Sequence, residues 1–279
     1  MRLVIQSSVI THAHLAHIHQ LSDTSVQFVQ IAQHAYYLAN QVLALPAVQQ
    51  FCAEQSIDCA YVQNTQLLKN FGLCVMDMDS TLISIECIDE IADMIGIKPQ
   101  ISAITERAMQ GELDFAQSLR QRVALLKGLR ETDLMRVLNE RLTLNPGAVE
   151  WVETCKKNNI TTLLVSGGFT FFADRVKAML GLDDAVSNTL EIINGKLTGN
   201  ILGNIVDAQT KADALIKLRE QLGLTAAQTI AIGDGANDLK MMQAAGIGVA
   251  YHAKPVVQKQ ATYALNYVGL DGVISLLTT

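Results

Sequence analysis

The sequence predicts an α/β fold in which helices cover both faces of a parallel β-sheet. Three short runs of apolar and β-branched residues have the composition of buried strands, at 72–76, 160–165 and 229–232. Each run ends in glycine, hydroxyl or carboxylate residues, and helical patterns lie between the runs. Strands that alternate with helices favour a parallel sheet. The polar residues that follow the three strands should therefore meet at one edge, where open sheets of this kind bind ligands.

A wholly helical block separates the first of these strands from the second. It contains four candidate helices, near 86–95, 100–110, 114–127 and 131–141, and Asn145-Pro146-Gly147 marks the return to the sheet. We therefore expect a helical cap at 86–144, inserted into a core formed by 66–85 and 145–279. An Asn194-Gly195 pair is typical of a tight hairpin turn and predicts a small β flap within that core.

Residues 1–65 are expected to form a small appended domain whose role the sequence leaves open. They contain a strand-like opening run, a helical pattern around 32–45, and four histidines at His12, His14, His17 and His19. Without a structural context for metal binding, an exposed segment is favoured over a metal site. A regulatory module and a dimerising module are the two open interpretations, and the second would make the protein a homo-oligomer.

Composition excludes several classes of function. The chain has 279 residues, of which 49% are apolar, and its formal net charge is −6. This charge argues against a nucleic-acid partner, for which a basic face is expected. No run of about eighteen apolar residues predicts a membrane span, and the N-terminus lacks the apolar centre of a signal peptide. Five scattered cysteines are typical of reduced thiols, so a cytoplasmic protein without a membrane partner is expected.

The polar residues after the three strands have the composition of a metal and phosphate site. Asp77 and Asp79 follow the first strand, Ser166-Gly167-Gly168 follows the second, and Gly233 to Asp238 follow the third. Oxygen ligands without neighbouring histidine or cysteine suit Mg²⁺, which commonly binds together with a substrate phosphate. Lys211, at the start of a helical pattern, is the best candidate for a cation that neutralises this charge. Taken one at a time, these segments also fit an acidic turn, a glycine loop, a helix cap and a solvated lysine.

Two cap residues have a pattern typical of substrate recognition. On a helix from 114 to 127, Arg122 falls within about 20° of Phe115, on the apolar stripe. Two explanations of this position are open. The stem of Arg122 could lie along the apolar face, or its guanidinium could bind a substrate carboxylate. Glu86 begins the first cap helix, where it could interact with the helix N-terminus or accept a hydrogen bond from a ligand.

These segments together resemble the four motifs of haloacid-dehalogenase-superfamily phosphatases, in the family's order and at its broad spacing. The motifs are Asp77 to Thr81, Ser166 to Phe169, Lys211, and Gly233 to Asp238. The sequence is closer still to the phosphoserine phosphatases of that superfamily, through the segments 86–90, 109–115 and 118–123. The resemblance covers about residue 71 to the C-terminus and implies a Rossmann-like core under a helical cap.

The resemblance also implies a reaction and a role for each residue. Asp77 would be the nucleophile that forms an aspartyl-phosphate, and Asp79 the general acid and base. Mg²⁺ would be held by the carboxylates of Asp77 and Asp234 and by the backbone carbonyl of Asp79. Asp238 would orient the waters of the metal or the residues next to it. The residues expected to contact substrate are Glu86 at the ammonium group, Arg122 at the carboxylate, and Ser166, Gly167, Lys211 and Asn237 around the phosphate.

The implied reaction is hydrolysis of O-phospho-L-serine to L-serine and phosphate, the last step of phosphorylated serine biosynthesis in the families it resembles. A related phosphomonoesterase, or a phosphotransferase with another alcohol as acceptor, would carry the same motifs. A phospho-acceptor signalling domain also uses aspartate, Mg²⁺ and lysine on a parallel sheet. Asp79 argues against that class, because an acid two residues beyond the nucleophile speeds loss of the phosphate.

Overall fold

The computed structural model describes residues 1–278, which begin with a four-stranded antiparallel sheet of order β2-β3-β1-β4. Its elements are β1 (Arg2–Gln6), α1 (His12–Leu21), β2 (Val29–Ala32), β3 (Ala35–Leu38), α2 (Pro46–Glu54) and β4 (Asp58–Val62). The prediction of a helix at 32–45 is wrong. Tyr36 and Tyr37 instead lie opposite Ile5 and Val4 in β1, so pairing with a distant strand overrides the local helical pattern. The four histidines lie on α1, and His14 and His17 pack against Phe51.

Polar contacts join this small sheet to the rest of the molecule. The Asp58 carboxylate accepts three backbone N–H bonds, from Asn266, Tyr267 and Val268, at 2.7–3.2 Å. The buried guanidinium of Arg2 donates to the Leu276 carbonyl at 2.8 Å. These contacts hold the four-stranded sheet against residues 266–276.

The main sheet has seven strands in the order β11-β10-β9-β5-β6-β7-β8. All neighbouring pairs are parallel except β7 with β8. The strands are β5 (Leu73–Met76), β6 (Thr161–Phe169), β7 (Asp184–Ile193), β8 (Lys196–Leu202), β9 (Thr229–Gly233), β10 (Ile247–Tyr251) and β11 (Tyr263–Leu265). The three predicted strands lie side by side at the centre. The second is longer than expected, since β6 continues through the glycines to Phe169 after a break in register.

Residues 86–144, between β5 and β6, form four helices, as the periodicity predicted. They are α3 (Cys87–Met94), α4 (Lys98–Met109), α5 (Phe115–Ala124) and α6 (Glu131–Glu140). The predicted hairpin is present as β7 and β8, joined at Asn194-Gly195. It hydrogen-bonds to the cap, since the Gly128 N–H donates to the Leu197 carbonyl and the Leu197 N–H donates to Leu129. The domain boundaries expected from the sequence stay predictions.

Helices pack on both faces of the main sheet, which confirms the predicted fold class. They are α7 (Ala148–Lys157), α8 (Thr170–Leu180), α9 (Ala208–Gln221), α10 (Leu239–Ala244), α11 (Pro255–Gln258) and α12 (Gly272–Leu277). Successive residues of β5 point to opposite faces. Cys74 and Met76 therefore join one apolar cluster, which includes Trp151 of α7, and Leu73 and Val75 join another, which includes Leu215 of α9. Across residues 1–278, none of the helices combines the length and apolar character needed to cross a bilayer.

Candidate active site

The carboxyl ends of β5, β6 and β9 meet at a cavity of about 370 Å³ beneath the cap. Both layers of the molecule contribute to its wall. The core supplies Asp77, Asp79, Ser166, Gly167, Asp234 and Asn237, and the cap supplies Glu86, Phe115 and Arg122. Eight of the ten residues expected at the site therefore line one cavity, and Lys211 and Asp238 lie outside its lining.

Lys211 and Asp238 lie behind Asp77 and form a buried charge network with it. The Lys211 ammonium is 2.8 Å from Asp77 Oδ1 and 2.8 Å from Asp238 Oδ1. Burial lowers the pKa of Lys211, but the two carboxylates outweigh this effect and raise it, so the lysine stays charged. Burial and the Asp238 charge raise the pKa of Asp77, against the opposing effect of Lys211. The single positive charge of Lys211 therefore neutralises the carboxylates of Asp77 and Asp238 only in part.

Asp77 has one engaged carboxylate oxygen. Its Oδ1 accepts the Met78 N–H at 2.7 Å as well as the Lys211 ammonium. Among residues 1–278, no hydrogen bond to Oδ2 is present. The two donors fix the carboxylate plane, and Oδ2 keeps its lone pairs free of donors from the described residues.

Asp79 is held by the start of the cap. The backbone N–H of Cys87 donates to Asp79 Oδ1 at 3.1 Å. Its Oδ2 lies only 2.6 Å from the position that a Cβ on Gly168 would take, so glycine is required there for this approach. Burial raises the pKa of Asp79, with hydrogen bonds from Cys87 opposing the shift. A raised pKa favours the protonated carboxyl, which is the form that can donate a proton.

Asp234 completes an acidic cluster with Asp77 and Asp238. One carboxylate oxygen from each residue lies within 4.8 Å of the other two. Burial and the Asp238 charge raise the pKa of Asp234 to about 6. Both oxygens of Asp238 already accept hydrogen bonds, from Lys211 and from the Gly235 N–H at 3.0 Å. An all-oxygen cluster of partly uncompensated carboxylates fits a hard divalent cation.

The end of β6 presents donors to the cavity. Ser166 is 1% exposed, and its Oγ accepts the Gly168 N–H at 2.8 Å. That bond uses an oxygen lone pair and leaves the hydroxyl proton free for an anion in the cavity. Asn188 donates to the Gly167 carbonyl at 2.8 Å and so fixes this turn. The Gly167 and Asn237 amides line the same space.

The cap contributes one unpartnered cation and one acid. Arg122 Nε is buried and, among the described residues, has no hydrogen-bond partner. Burial lowers the pKa of Arg122, and Asp89 and Glu86 oppose the shift. At the exposed rim, Glu86 accepts a hydrogen bond from Ser80 at 2.8 Å. Desolvation by the walls of the cavity and the Asp79 charge raise the pKa of Glu86 to about 7.

The sequence-based expectations assigned no role to Lys254 or to Cys87, and both contribute to the site. Lys254 is exposed just before α11 and lines the cavity. Its position shortly after β10, which ends at the same edge of the sheet, is the sequence signal that could have identified it. Cys87 acts on Asp79 through its backbone N–H, for which residue identity gives no signal. Within the segment 109–115, Met109 is 74% exposed, whereas Phe115 lines the cavity.

Comparison with known proteins supports the sequence resemblance. A family model for haloacid dehalogenase-like hydrolases matches residues 71–246. Phosphoserine phosphatase of Vibrio cholerae serotype O1 is 52% identical over 222 residues, which cover 80% of this chain and 67% of that protein.

Two solved structures extend the comparison. The unliganded crystal structure of a probable phosphoserine phosphatase from Vibrio cholerae has a TM-score of 0.88 and 42% identity. That match covers 99% of this chain and 86% of the other. A phospho-aspartyl intermediate analogue of phosphoserine phosphatase has a TM-score of 0.69 and 36% identity, and covers 75% of this chain and 99% of the other. The chain therefore belongs to the haloacid dehalogenase-like hydrolase family, in which these relatives are phosphoserine phosphatases.

Proposed function

We propose that this protein is a phosphoserine phosphatase, which hydrolyses O-phospho-L-serine to L-serine and phosphate, the last step of serine biosynthesis. The observation that carries the proposal is the unpartnered Arg122 facing the same cavity as Asp77 and Asp79. A guanidinium whose Nε is buried without a hydrogen-bond partner favours a carboxylate ligand. With Glu86 as acceptor for an ammonium group, the cap matches both charges of an α-amino acid.

The arrangement supports a two-step displacement. Asp77 Oδ2 attacks phosphorus, the bond from phosphorus to the serine oxygen breaks, and Asp79 gives its proton to that oxygen. Asp79 then takes a proton from a water molecule, whose oxygen attacks the aspartyl-phosphate and releases phosphate and Asp77. Ser166, Gly167 and Asn237 would donate hydrogen bonds to the phosphate oxygens. Lys211, which does not line the cavity, would act from behind by holding Asp77 in place.

The metal assigned to this site is Mg²⁺. The carboxylates of Asp77 and Asp234 and the backbone carbonyl of Asp79 would hold it, and Asp238 would keep its neighbours oriented from behind. When bound, Mg²⁺ would neutralise charge on the phosphate. The acidic cluster and its all-oxygen composition support this assignment.

We expect Mg²⁺ to stabilise the protein in a pH-dependent way. Asp234, with its pKa near 6, would be ionised above that pH and able to hold the cation, whereas below it a proton would compete. At a free Mg²⁺ concentration of 100 Kd the gain is about 2.7 kcal/mol, or a rise in Tm of about 5 °C. Thermal unfolding should show this rise at pH 7.5 and its loss as the pH falls through about 6. Asp234→Asn should lose the rise and Asp213→Asn, at an exposed site on α9, should keep it; a full rise in Asp234→Asn would contradict the metal assignment.

The substrate assignment is tested by phosphate release with Mg²⁺. The panel is O-phospho-L-serine, phosphoethanolamine, which lacks the carboxylate, 3-phosphooxypropanoate, which lacks the ammonium group, and phenyl phosphate. We expect kcat/KM for phosphoserine to exceed each of the others by at least about tenfold, as each missing charged contact costs roughly 1.5–3 kcal/mol. Comparable rates on all four would make the protein a general phosphomonoesterase. Transfer of phosphate to added alcohols in preference to water would make it a phosphotransferase.

We also place the enzyme in the cytoplasm. All five cysteines are free thiols in the structure, which is the usual state in a reducing compartment. Homo-oligomer formation and a separate role for residues 1–65 stay predictions from the sequence.

A further inference from the structure

Ser80 occupies a backbone conformation that favours glycine. Its φ is 55° and its ψ is −2°, in the left-handed region. The surrounding loop fixes it there, because its N–H donates to the Ile85 carbonyl at 3.2 Å and Asn145 Nδ2 donates to its carbonyl at 3.3 Å. A glycine would adopt this conformation at lower cost. The serine side chain therefore needs an explanation other than the turn.

That side chain contacts the acid at the rim of the cavity. Ser80 Oγ donates to Glu86 Oε1 at 2.8 Å, and across residues 1–278 this is the hydrogen bond that the Glu86 side chain receives. Three acids, Asp79, Asp234 and Asp89, act on Glu86 with like charge. A lone carboxylate among acids has several rotamers of similar energy, and a neutral donor fixes one without adding charge.

We propose that Ser80 is a positioning residue that sets selectivity for the ammonium group of the substrate. Its hydroxyl holds Oε1 of Glu86 and leaves Oε2 to accept a hydrogen bond from the ammonium group. The closed loop from Ser80 to Ile85 makes this arrangement rigid before substrate binds. The inference rests on the proposed function, because it requires a substrate with an ammonium group.

The test compares Ser80→Gly and Ser80→Ala on phosphoserine and on 3-phosphooxypropanoate. Both variants lack the hydroxyl, but only glycine relieves the strain of the left-handed backbone, so equal effects in both would exclude strain as the cause. We expect KM for phosphoserine to rise about tenfold in both variants, with kcat and the kinetics on 3-phosphooxypropanoate unchanged. Ser84→Ala is the matched control, because this serine lies in the same loop and its hydroxyl pairs with Thr143 at 2.6 Å.

Two results would overturn the inference while leaving the proposed function intact. Equal losses on both substrates would show that Ser80 acts on the catalytic loop as a whole. A lower KM for phosphoserine in the variants would show that the hydroxyl competes with the ammonium group for Glu86. If the wild-type enzyme itself does not prefer phosphoserine to 3-phosphooxypropanoate, the proposed function fails, and the role of Ser80 fails with it.

Discussion

Replacing Asp77 by asparagine is expected to lower kcat by at least about 10⁴-fold, because the amide is a poor nucleophile and cannot form the aspartyl-phosphate. The fold should persist, since the change is nearly isosteric and Lys211 keeps Asp238 as its partner. Burial and the Asp238 charge raise the pKa of Asp77, so removing this carboxylate relieves repulsion in the buried network. Steady-state phosphate release and thermal unfolding of the purified variant without metal measure the two effects.

Trapping the intermediate separates loss of the nucleophile from a general defect. Acid quenching of the wild-type enzyme during turnover of labelled phosphoserine should leave a small amount of label on the protein, and Asp77→Asn should leave none. Asp213 is an exposed carboxylate on α9, and the Asp213→Asn variant should behave as the wild type in both assays. Normal turnover by Asp77→Asn would disprove the nucleophile assignment. A phosphoprotein that persists in the wild-type enzyme would instead favour the signalling class of aspartate acceptors.

The central part of the fold follows from local sequence because its signals are local. β5, β9 and the centre of β6 are apolar runs whose residues are buried on both faces, and such runs are recognisable without knowledge of their partners. The core residues that line the cavity lie at or directly after the ends of those strands. In contrast, β3 depends on pairing with β1, about thirty residues earlier in the chain, and so the helical pattern at 32–45 was misleading.

What the sequence could not predict about the site is the arrangement of atoms between elements. The expected contact of Lys211 with phosphate stays a prediction, and the sequence could not show that its ammonium lies 2.8 Å from Asp77 Oδ1. The contact between the Cys87 N–H and Asp79 depends on how the first cap helix begins over the end of β5. Of the two consecutive glycines in β6, Gly168 allows the carboxylate of Asp79 to approach the strand closely, because its missing side chain leaves room for Asp79 Oδ2.

Recognition of the substrate carboxylate is the part of the proposed function that one substitution can isolate. Arg122→Ala is expected to lower kcat/KM for phosphoserine by about 10²- to 10³-fold, because it leaves a buried substrate carboxylate without its counterion. The loss on phosphoethanolamine should be below about threefold, since that ester has no carboxylate to bind. Initial-rate kinetics on the two substrates give the ratio directly.

Arg120→Ala is the matched control for this substitution. Arg120 is exposed on the same helix α5, so its removal changes the net charge by the same amount without changing the wall of the cavity. We expect its kcat/KM to stay within about twofold of the wild type on both substrates, because exposed charges contribute little once salt screens them. Equal losses on both substrates in Arg122→Ala would mean that Arg122 supports the cap and does not read the carboxylate. A selective loss on phosphoserine would link the buried, unpartnered Nε of Arg122 to the choice of substrate.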